Sequence, residues 1–462
     1  MRINNGEFSN SILWITVFIF LISIMLFPSC MRRGVEELEK ERLFSIPIGK
    51  GEEYVGVIRE TNGQLQGPSH ILFENGFFFI VDSVNQKLLK ITTPGDVILT
   101  IEKGEGSGKD DENILRTKQS KNYNFNQIGN ITVDKENNIY IEDISVQKRK
   151  LKSIIDVLSK GEVVEEEGNF EEVYMSHILK FDRLGNFLFK IGVDGRDTEP
   201  FYHIFKISTT RDGNLIVLTT DEEWENWTYY KFDEDGNKVM MKVIKSKDLI
   251  ASEDMKGKAY FIMDVFPSNY SDRLLYWVSL YETLYDTKGV KKEEDTWEEE
   301  IELENYEAVK KKEEQVPKIE IMKDLLYYKL IQYDVVTDEF NTTMKWQMDG
   351  GNRVEPTEEL LGVDGEFNGF LWKYLDKNRS VITMVNKEGS VVERRSFFFE
   401  DDGIWMNVQV ASDGSVAGIK IDDKYVHFYR WRSDKLLREK KEKFTLKKFF
   451  RDKIEGFRNA NR

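Results

Sequence analysis

The sequence predicts an all-β fold in which six four-stranded sheets are arranged as the blades of a propeller, with seven blades left open. Three observations predict it. One strand–turn–strand signature recurs five times, Asn-Gly or Asp-Gly turns separate β-rich runs, and two steps between equivalent turns measure 51 residues. A repeat of this length holds two hairpins, and such sheets bury both faces only when they stack around an axis. A β-sandwich, the structural rival, does not predict this repeat.

Composition restricts the class of protein further. The chain has 462 residues, of which 40% are hydrophobic and 13% aromatic, so it can build a large core and is not wholly disordered. The formal net charge of −16 argues against a generic nucleic-acid binder. The chain has one cysteine, which excludes an intrachain disulfide and a thiolate metal cluster.

The N-terminus carries a targeting segment. Residues 11–27 contain no charge and suit the apolar region of a signal peptide better than a bilayer span. Ser29 and Cys30 follow, and this pattern resembles a bacterial lipoprotein signal in the looser form of spirochaetes. The resemblance implies that Cys30 becomes the first residue and is acylated, with palmitate for example. An uncleaved signal anchor is the alternative. In both cases the rest of the chain is tethered outside the cytoplasm, at the outer membrane or the periplasmic face.

These features divide the chain into four segments. We expect a signal peptide over residues 1–29, an anchor and spacer over 30–42, the propeller over 43–432 and a tail over 433–462. The charged residues 35–42 are interpreted as a helical spacer.

The first hairpin of each blade is visible as two β-rich runs around an Asn or Asp turn. Asn75-Gly76 lies in the clearest copy, and Asp413-Gly414 lies in a late one. Such turns need positive φ, which Asn, Asp and Gly adopt most easily. The four copies lie at residues 71–82, 131–141, 207–218 and 408–417.

The second hairpin of each blade supplies the repeat distance. Its turns contain Gly95, Gly185, Gly236, Asp338 and Gly389, and the steps between them are 90, 51, 102 and 51 residues. The two long steps require insertions. Charged stretches at 145–172 and 286–323 fit that requirement, and residues 148–160 in the first are predicted to be helical.

A sixth blade over residues 403–432 lacks its outermost strand. Residues 43–49 can supply it, because an N-terminal strand that completes the last blade removes an exposed edge. Residues 67–101 of blade one resemble an NHL-type repeat. Together with the cysteine signal, the chain resembles the NHL-like six-bladed propeller lipoproteins of spirochaetes.

Acidic residues follow the second strands of three blades, at Asp82, Asp143 and Asp221. In a propeller these positions converge on one face, where carboxylates can bind a cation or act as acid and base. The alternative is that they cap their own loops through local hydrogen bonds, and we favour it. We expect neither a metal site nor a cofactor, since the four histidines and the remaining residues form no known ligand motif.

Aromatic side chains offer a second candidate surface. Packing between blades is the interpretation we favour for the large aromatics, but Trp224 and Trp227 lie in an acidic turn over residues 221–227, which favours their exposure over that of the others. Exposed Trp is a frequent anchor of binding sites, although large aromatics also pack between blades.

The basic C-terminus has 12 basic and 5 acidic residues over 432–462. Leu446, Phe450, Ile454 and Phe457 recur at helical spacing, which predicts an amphipathic helix. It lies on an anionic membrane or docks against the propeller wall; the sequence does not separate these alternatives.

The leading functional hypothesis is a non-enzymatic, membrane-anchored propeller that binds or scaffolds a protein or glycan partner in the cell envelope, without nucleic acid. The alternative is a propeller hydrolase of the lactonase or glycosidase kind, with Asp82, Asp143 and Asp221 at the channel mouth. A third hypothesis is a periplasmic scaffold in an envelope assembly machine, with the charged insertions as docking arms.

Overall fold

Each strand–turn–strand signature forms an antiparallel hairpin, and successive hairpins join into four-stranded sheets. A computed structural model describes residues 36–61, 64–103, 119–150, 170–192, 201, 203–221, 224–249, 258–285, 320–347, 359–375, 379–386, 390–398 and 404–432.

In each of the first three blades, neighbouring strands are consecutive in the sequence, and four short or edge strands precede them. The N-terminal segment contains β1 (Glu36–Glu37), β2 (Glu39–Pro47), β3 (Ile58–Arg59) and β4 (Leu65–Gln66). Blade 1 is β5 (His70–Glu74), β6 (Phe77–Asp82), β7 (Lys87–Thr92) and β8 (Val97–Glu102), with β9 (Gln119–Asn122) beside it. Blade 2 is β10 (Ile128–Val133), β11 (Ile139–Lys150), β12 (Phe170–Phe181) and β13 (Phe187–Ile191). Blade 3 is β14 (Ile204–Thr209), β15 (Leu215–Thr220), β16 (Asn226–Phe232) and β17 (Lys238–Lys245).

The last three blades repeat the order. A one-turn helix α1 (Ser246–Leu249) leads to blade 4, which is β18 (Lys258–Pro267), β19 (Arg273–Tyr285), β20 (Glu320–Asp334) and β21 (Glu339–Gln347). Blade 5 is β22 (Glu359–Val363), β23 (Gly369–Tyr374), β24 (Arg379–Val385) and β25 (Val391–Phe398). Blade 6 is β26 (Ile404–Val410), β27 (Val416–Ile421) and β28 (Tyr425–Arg432), completed by β2.

The core follows the seams between blades. Six clusters of buried apolar side chains lie between blades 1 and 2, 2 and 3, 3 and 4, 4 and 5, 5 and 6, and 6 and 1. Each blade therefore buries both faces against its neighbours, and the sixth seam closes the ring. The prediction of a six-bladed propeller is confirmed. The seven-blade alternative is wrong, because residues 260–281, the loosely patterned region, form part of β18 and β19 in blade 4.

The N-terminal strand completes blade 6 as predicted. β2 pairs antiparallel with β28 from Glu39↔Arg432 to Pro47↔Tyr425. The prediction of a helical spacer is wrong for residues 36–42, since these residues form β1 and the start of β2. The charged side chains of this segment find partners across the pair, for example Arg430 Nη2 with Glu41 Oε2 at 2.7 Å. Strand pairing thus satisfies both the backbone and the charges.

Both insertions interrupt a pair of long strands. β11 and β12 pair in register to Lys150↔Phe170, and β19 and β20 pair to Tyr285↔Glu320. Residues 148–150 are strand, so the helix predicted from residue 148 does not begin there. The rest of that helix, residues 151–160, lies outside the described residues, as do 161–169 of the first insertion and 286–319 of the second. The signal segment, Cys30 and the basic tail from 433 also lie outside them.

Two faces are defined by the connections between strands. The loop face is the end of the blades at which second strands finish and third strands begin, at 82 and 87, 150 and 170, 220 and 226, 285 and 320, 374 and 379, and 421 and 425. The turn face carries the connections between first and second strands and between third and fourth strands. A strand of five or six residues spans about 17–20 Å, so the two faces lie that far apart. In the part of the chain that the structure describes, we find no helix with the length and hydropathy of a membrane span.

Candidate functional site

The three predicted carboxylates lie on the loop face, and each is bound by its own surroundings. Asp82 ends β6 and is fully buried. Its Oδ2 accepts from the Gly56 backbone N–H at 2.8 Å and from Asn85 Nδ2 at 2.8 Å, while Oδ1 accepts from the Asn85 N–H at 3.0 Å. Asp82 thereby fastens the segment before blade 1 to the loop face.

Asp143 and its neighbour Glu142 hold the entrance to β10. Asp143 accepts from the backbone and side-chain nitrogens of Asn126 at 2.7 and 2.8 Å. Glu142 Oε2 accepts from Asn130 Nδ2 at 2.6 Å, and Oε1 accepts from Ser176 Oγ at 2.6 Å. Buried carboxylates with this many donors are structural groups, because their lone pairs are already used.

Asp221 caps the loop of blade 3. Its Oδ1 accepts from the Glu225 N–H at 2.8 Å, and its Oδ2 accepts from Asn226 Nδ2 at 2.6 Å. Burial works in the opposite direction, but the hydrogen bonds from Asn226 and Glu225 lower the pKa of Asp221. A general acid near neutral pH needs a raised pKa, so this carboxylate is poorly suited to that role. Asp221, and Asp82 through its bonds from Asn85, are local caps as the favoured interpretation expects. Asp143 instead binds Asn126, which lies 17 positions earlier in the chain.

No catalytic or metal cluster forms around these acids in the described residues. Within those ranges, no three His, Cys, Asp or Glu side chains are grouped as a metal site would require. Each of the three acids is held by residues of its own loop or of the segment that enters its blade. The structure therefore does not bring them together through shared contacts.

The two tryptophans differ in exposure. Trp224 is 44% exposed, and its ring lies edge-on to Phe205 and Trp227, with centroids 5.6 and 5.7 Å away. Trp227 is fully buried, and its Nε1 donates to Ser246 Oγ at 3.1 Å. The expectation that Trp227 is exposed is wrong. β16 begins at Asn226 and pairs Trp227 with Thr220, so Trp227 belongs to the sheet rather than to the loop.

The backbone holds Trp224 at the surface in an uncommon conformation. Its φ is 59°, which bulky residues rarely adopt. Its N–H donates to the Asp221 carbonyl at 3.2 Å, and its carbonyl accepts from Ser246 Oγ at 2.7 Å. The surrounding hydrogen bonds therefore overcome a local cost, which is typical of residues with a functional constraint.

Besides Trp224, the loop face carries exposed apolar side chains that were not predicted from the sequence. Val146 and Tyr174 are cross-strand partners on the extended hairpin of blade 2, and both are exposed. The exposed large apolar side chains at this end of the blades include Val146, Tyr174, Trp224, Phe261, Met263, Tyr374, Leu375 and Tyr425. These side chains could have been found from the sequence as apolar residues at strand ends beside charged connections. A soluble hairpin normally has polar residues at such positions.

The extended hairpins project from this same face. β10 pairs with β11 only as far as Asp143, whereas β11 and β12 continue for seven further residue pairs to Lys150↔Phe170. At about 3.3 Å per residue this two-stranded ribbon, arm 1, extends roughly 23 Å. In blade 4 the ends of β19 and β20 form a shorter ribbon, arm 2, over 283–285 and 320–322.

Comparisons with known proteins give similarity at the level of the structure only. No family model matches the chain, and no curated protein matches it. The β-propeller domain of Nup133 from Vanderwaltozyma polyspora is 12% identical, with 86% of this chain and 93% of that chain covered and a TM-score of 0.35. An oligogalacturonate lyase in complex with manganese is 7% identical, with coverages of 87% and 100% and a TM-score of 0.38.

A third solved structure, a sialidase of Trypanosoma rangeli, is 10% identical, with coverages of 90% and 62% and a TM-score of 0.40. At these values the assignment of the fold rests on this chain's own strand order and six seams. The functional argument rests on its own residues.

Proposed function

We propose that this chain is a lipid-anchored binding module of the bacterial cell envelope that docks a protein partner on the loop face of its propeller. Residues 11–27 and Cys30 support the anchor, because an apolar run followed by a small residue and a cysteine is the pattern of lipoprotein signals. The loop face supports the docking role.

The observation that carries the proposal is the set of exposed apolar side chains on the loop face. They come from blades 2 to 6 and include three tyrosines and Trp224. Trp and Tyr are enriched among the residues that dominate binding energy at protein interfaces. Exposed large apolar residues also occur at the turn end of the blades, but most of them are aliphatic, and the aromatic ones are Phe187 and Tyr270. Among the described residues, exposed Trp and several Tyr side chains therefore distinguish the loop face.

The arms support a protein partner over a small ligand. Arm 1 is a ribbon that leaves the body of the propeller, so its Val146–Tyr174 pair is available to a large surface. Both arms lead into the charged segments 151–169 and 286–319. Complementary charges at an interface increase association rates and selectivity more than affinity.

Site-specific photocrosslinking in intact cells tests the docking face. A photoreactive phenylalanine analogue is placed at position 174, 224 or 374 on the loop face, and at 184 or 336 on the turn face as controls. Leu184 and Val336 are also exposed apolar residues. We expect a discrete crosslinked protein from the loop-face positions only. Equal crosslinking from both faces contradicts the proposal.

A matched pair of leucine variants tests the same face in binding. Leu375 lies on the loop face and Leu184 on the turn face, and both are about half exposed. Leu375→Ser should weaken capture of the crosslinked partner by about tenfold, since interface anchors contribute about 1.4 kcal/mol or more. Leu184→Ser should bind like the wild-type chain. Loss of binding by both variants or by neither argues against a loop-face interface.

The anchor is tested separately. Mass spectrometry of the mature N-terminus should find an acylated Cys30, and Cys30→Ser should release the chain from membranes. An unmodified Met1 in the mature protein contradicts the lipid anchor but leaves the docking face untouched.

A further inference from the structure

A cavity of about 420 Å³ lies on the propeller axis at the turn face. It is lined by the ends of the first strands of all six blades and by the turns that follow them. Sites for small molecules typically have volumes of about 300–1,000 Å³, so the cavity is large enough for a ligand. The loop face lies at the other end of the same strands, and this cavity is therefore independent of the proposed docking surface.

Side-chain hydrogen bonds between blades shape its wall. Ser412 Oγ of blade 6 donates to Glu74 Oε1 of blade 1 at 2.5 Å. Ser208 Oγ of blade 3 donates to Asn269 Oδ1 of blade 4 at 3.0 Å. Because these bonds cross seams of the ring, they fix polar groups at defined positions around the axis before any ligand arrives. Preorganised groups of this kind reduce the ordering cost of binding.

These groups also retain hydrogen-bonding capacity. A carboxylate has about four acceptor sites and a hydroxyl has two acceptor sites and one donor. In the described part of the chain, the Asn269 side chain bonds only through its oxygen, which leaves the two donors of its amide nitrogen for a ligand. Thr132, which lines the same cavity, adds a further hydroxyl.

The charges of the inner wall are largely neutralised. Lys206 Nζ lies 2.6 Å from Asp264 Oδ1 and 3.7 Å from the centroid of the Phe266 ring. Burial raises the pKa of Glu74, although the hydrogen bond from Ser412 opposes this shift. An anionic ligand at this depth would lie beside the Glu74 carboxyl, because Lys206 is already paired with Asp264, and an uncompensated charge is costly to bury.

An aromatic ring lies at the mouth of the cavity. Tyr270 is exposed, and the Arg211 guanidinium carbon lies 3.4 Å from the centroid of its ring. The guanidinium covers one face of the ring and holds its orientation. A Tyr ring can pack against the apolar face of a sugar while its edge stays in water.

We propose that the axial cavity binds a neutral sugar, such as the terminal one or two units of a glycan, through Glu74, Ser208, Asn269 and Ser412. A neutral polyol matches a wall that offers both donors and acceptors and whose Glu74 carboxyl disfavours a neighbouring anion. The cavity does not suit an extended peptide, because all six blades surround it and leave no open side along which a peptide could lie.

The test uses the full-length chain in a detergent without a sugar headgroup. Glucose, N-acetylglucosamine, maltose and diacetylchitobiose are the neutral probes, and glucuronate is the anionic match to glucose. Saturation-transfer NMR and titration calorimetry should find at least one neutral probe with a dissociation constant on the order of 1 mM. Glucuronate should bind more weakly than glucose.

Two variants fill the cavity from opposite blades. Ser208→Tyr and Ser412→Leu should each weaken the neutral probe by about tenfold or more. Ser390→Tyr, at an exposed serine in a turn of blade 5, should bind like the wild-type chain. Glu74→Gln keeps the shape and should weaken binding by about threefold to tenfold, because it removes a charged acceptor. This variant keeps the test valid if a cavity-filling variant does not fold.

Three results would overturn the proposal. The first is that none of the neutral probes binds at about 20 mM, far above the expected constant. The second is that the cavity variants that fold, as judged by circular dichroism, bind as tightly as Ser390→Tyr. The third is that glucuronate binds more tightly than glucose.

Discussion

At the scale of single residues, one five-residue turn accounts for the visibility of the repeat in the sequence. In Asp233–Asn237, Oδ1 of the aspartate accepts from the N–H groups two and four residues later, and Oδ2 accepts from the amide of Asn237. The fourth residue, Gly236, has a φ of 82°. The same aspartate–asparagine pattern occurs in the turns that begin at Asp134, Asp182 and Asp364. The Asp and Asn residues of the repeated turn are therefore explained by the hydrogen bonds that the turn needs.

Two glycines at the fourth position of such turns allow the cost of backbone strain to be distinguished from the cost of a steric clash. Gly185 and Gly213 have φ values of 79° and 86°. A Cβ at Gly213 meets nothing within 4 Å, whereas one at Gly185 lies 2.7 Å from Leu99 Cδ1. Gly213→Ala should cost about 1–2 kcal/mol through the left-handed conformation alone. Gly185→Ala should cost about 1–3 kcal/mol more through overpacking.

Denaturant unfolding of both glycine variants measures this difference. Equal losses of stability would show that Leu99 moves aside at no cost. A larger loss for Gly213→Ala would contradict the role of the contact.

Asp422 makes the stability of the fold depend on pH in the acidic range. It accepts from the Lys424 and Tyr425 N–H groups at 2.7 Å and from His427 Nε2 at 2.6 Å. Burial opposes the shift, but these hydrogen bonds lower the pKa of Asp422 from 3.8 to about 2. Its stabilising contribution is therefore full above the unfolded pKa and is lost as the pH falls from about 4 towards 2.

Unfolding midpoints measured between about pH 5 and pH 2.5 test this contribution. Asp422→Asn should be less stable than the wild-type chain at pH 5, and the difference should shrink below about pH 4. Asp423→Asn is the control, since the Asp423 side chain is 91% exposed. A gap between wild type and Asp422→Asn that stays constant over this range contradicts the assignment.

At the scale of elements, the outer edges of three blades are covered by strands from elsewhere in the chain. β2 completes blade 6, while β1 and β9 run parallel to β25 and β8. Exposed edges of sheets invite pairing with other chains. Covering them with segments that would otherwise be linkers removes this liability in blades 1, 5 and 6.

Phe44 fixes β2 in the seam between blades 6 and 1. Its ring stacks on Phe428 at 4.5 Å and meets Phe78 edge-on at 5.3 Å. Phe44→Ala should cost about 3–5 kcal/mol, as for other buried phenylalanines. Phe187→Ala is the matched control, because Phe187 is 46% exposed and should cost much less.

The denaturant midpoint of each phenylalanine variant measures the cost. Similar midpoints for Phe44→Ala and Phe187→Ala would mean that β2 contributes little to the closed ring.

The sequence predicted the elements with local signals and missed those that depend on distant partners. The hairpin around Asn75-Gly76 was visible because its turn chemistry and alternation are local. β9 is Gln119–Asn122, a polar run that becomes a strand only through pairing with β8. The charged residues 148–150 were assigned to a helix, but pairing with β12 makes them strand.

The candidate site shows the same limit. Trp224 and Trp227 are three residues apart and alike in sequence, yet one is exposed and the other is buried against Phe205 and Tyr276. Their exposure depends on where β16 begins, which is set by pairing with β15 and β17. The axial cavity was not visible at all, because it is assembled from six strands that are far apart in the chain.

At the scale of the whole molecule, the ring closes where the N-terminal strand β2 pairs with β28, the last strand of the propeller. The β2–β28 pair joins residues almost 400 positions apart, so it carries a large entropic cost of loop closure. The four main strands of every other blade are consecutive in the sequence, although β1 also pairs with the edge of blade 5. We therefore infer that the seam between blades 6 and 1 forms last and opens first.

A chain that begins at residue 49 tests this inference, because it lacks β1 and β2 but keeps all other strands. Its open β28 edge should cause self-association, and its denaturant midpoint should fall below that of the full chain. A synthetic peptide of residues 36–48 should restore the monomer and raise the midpoint. A peptide with Phe44→Lys and Ile46→Lys should do neither, since both side chains are buried in the seam. If the shortened chain is monomeric and as stable as the full chain, the ring does not depend on its N-terminal strand, and closure must reside in the other five seams.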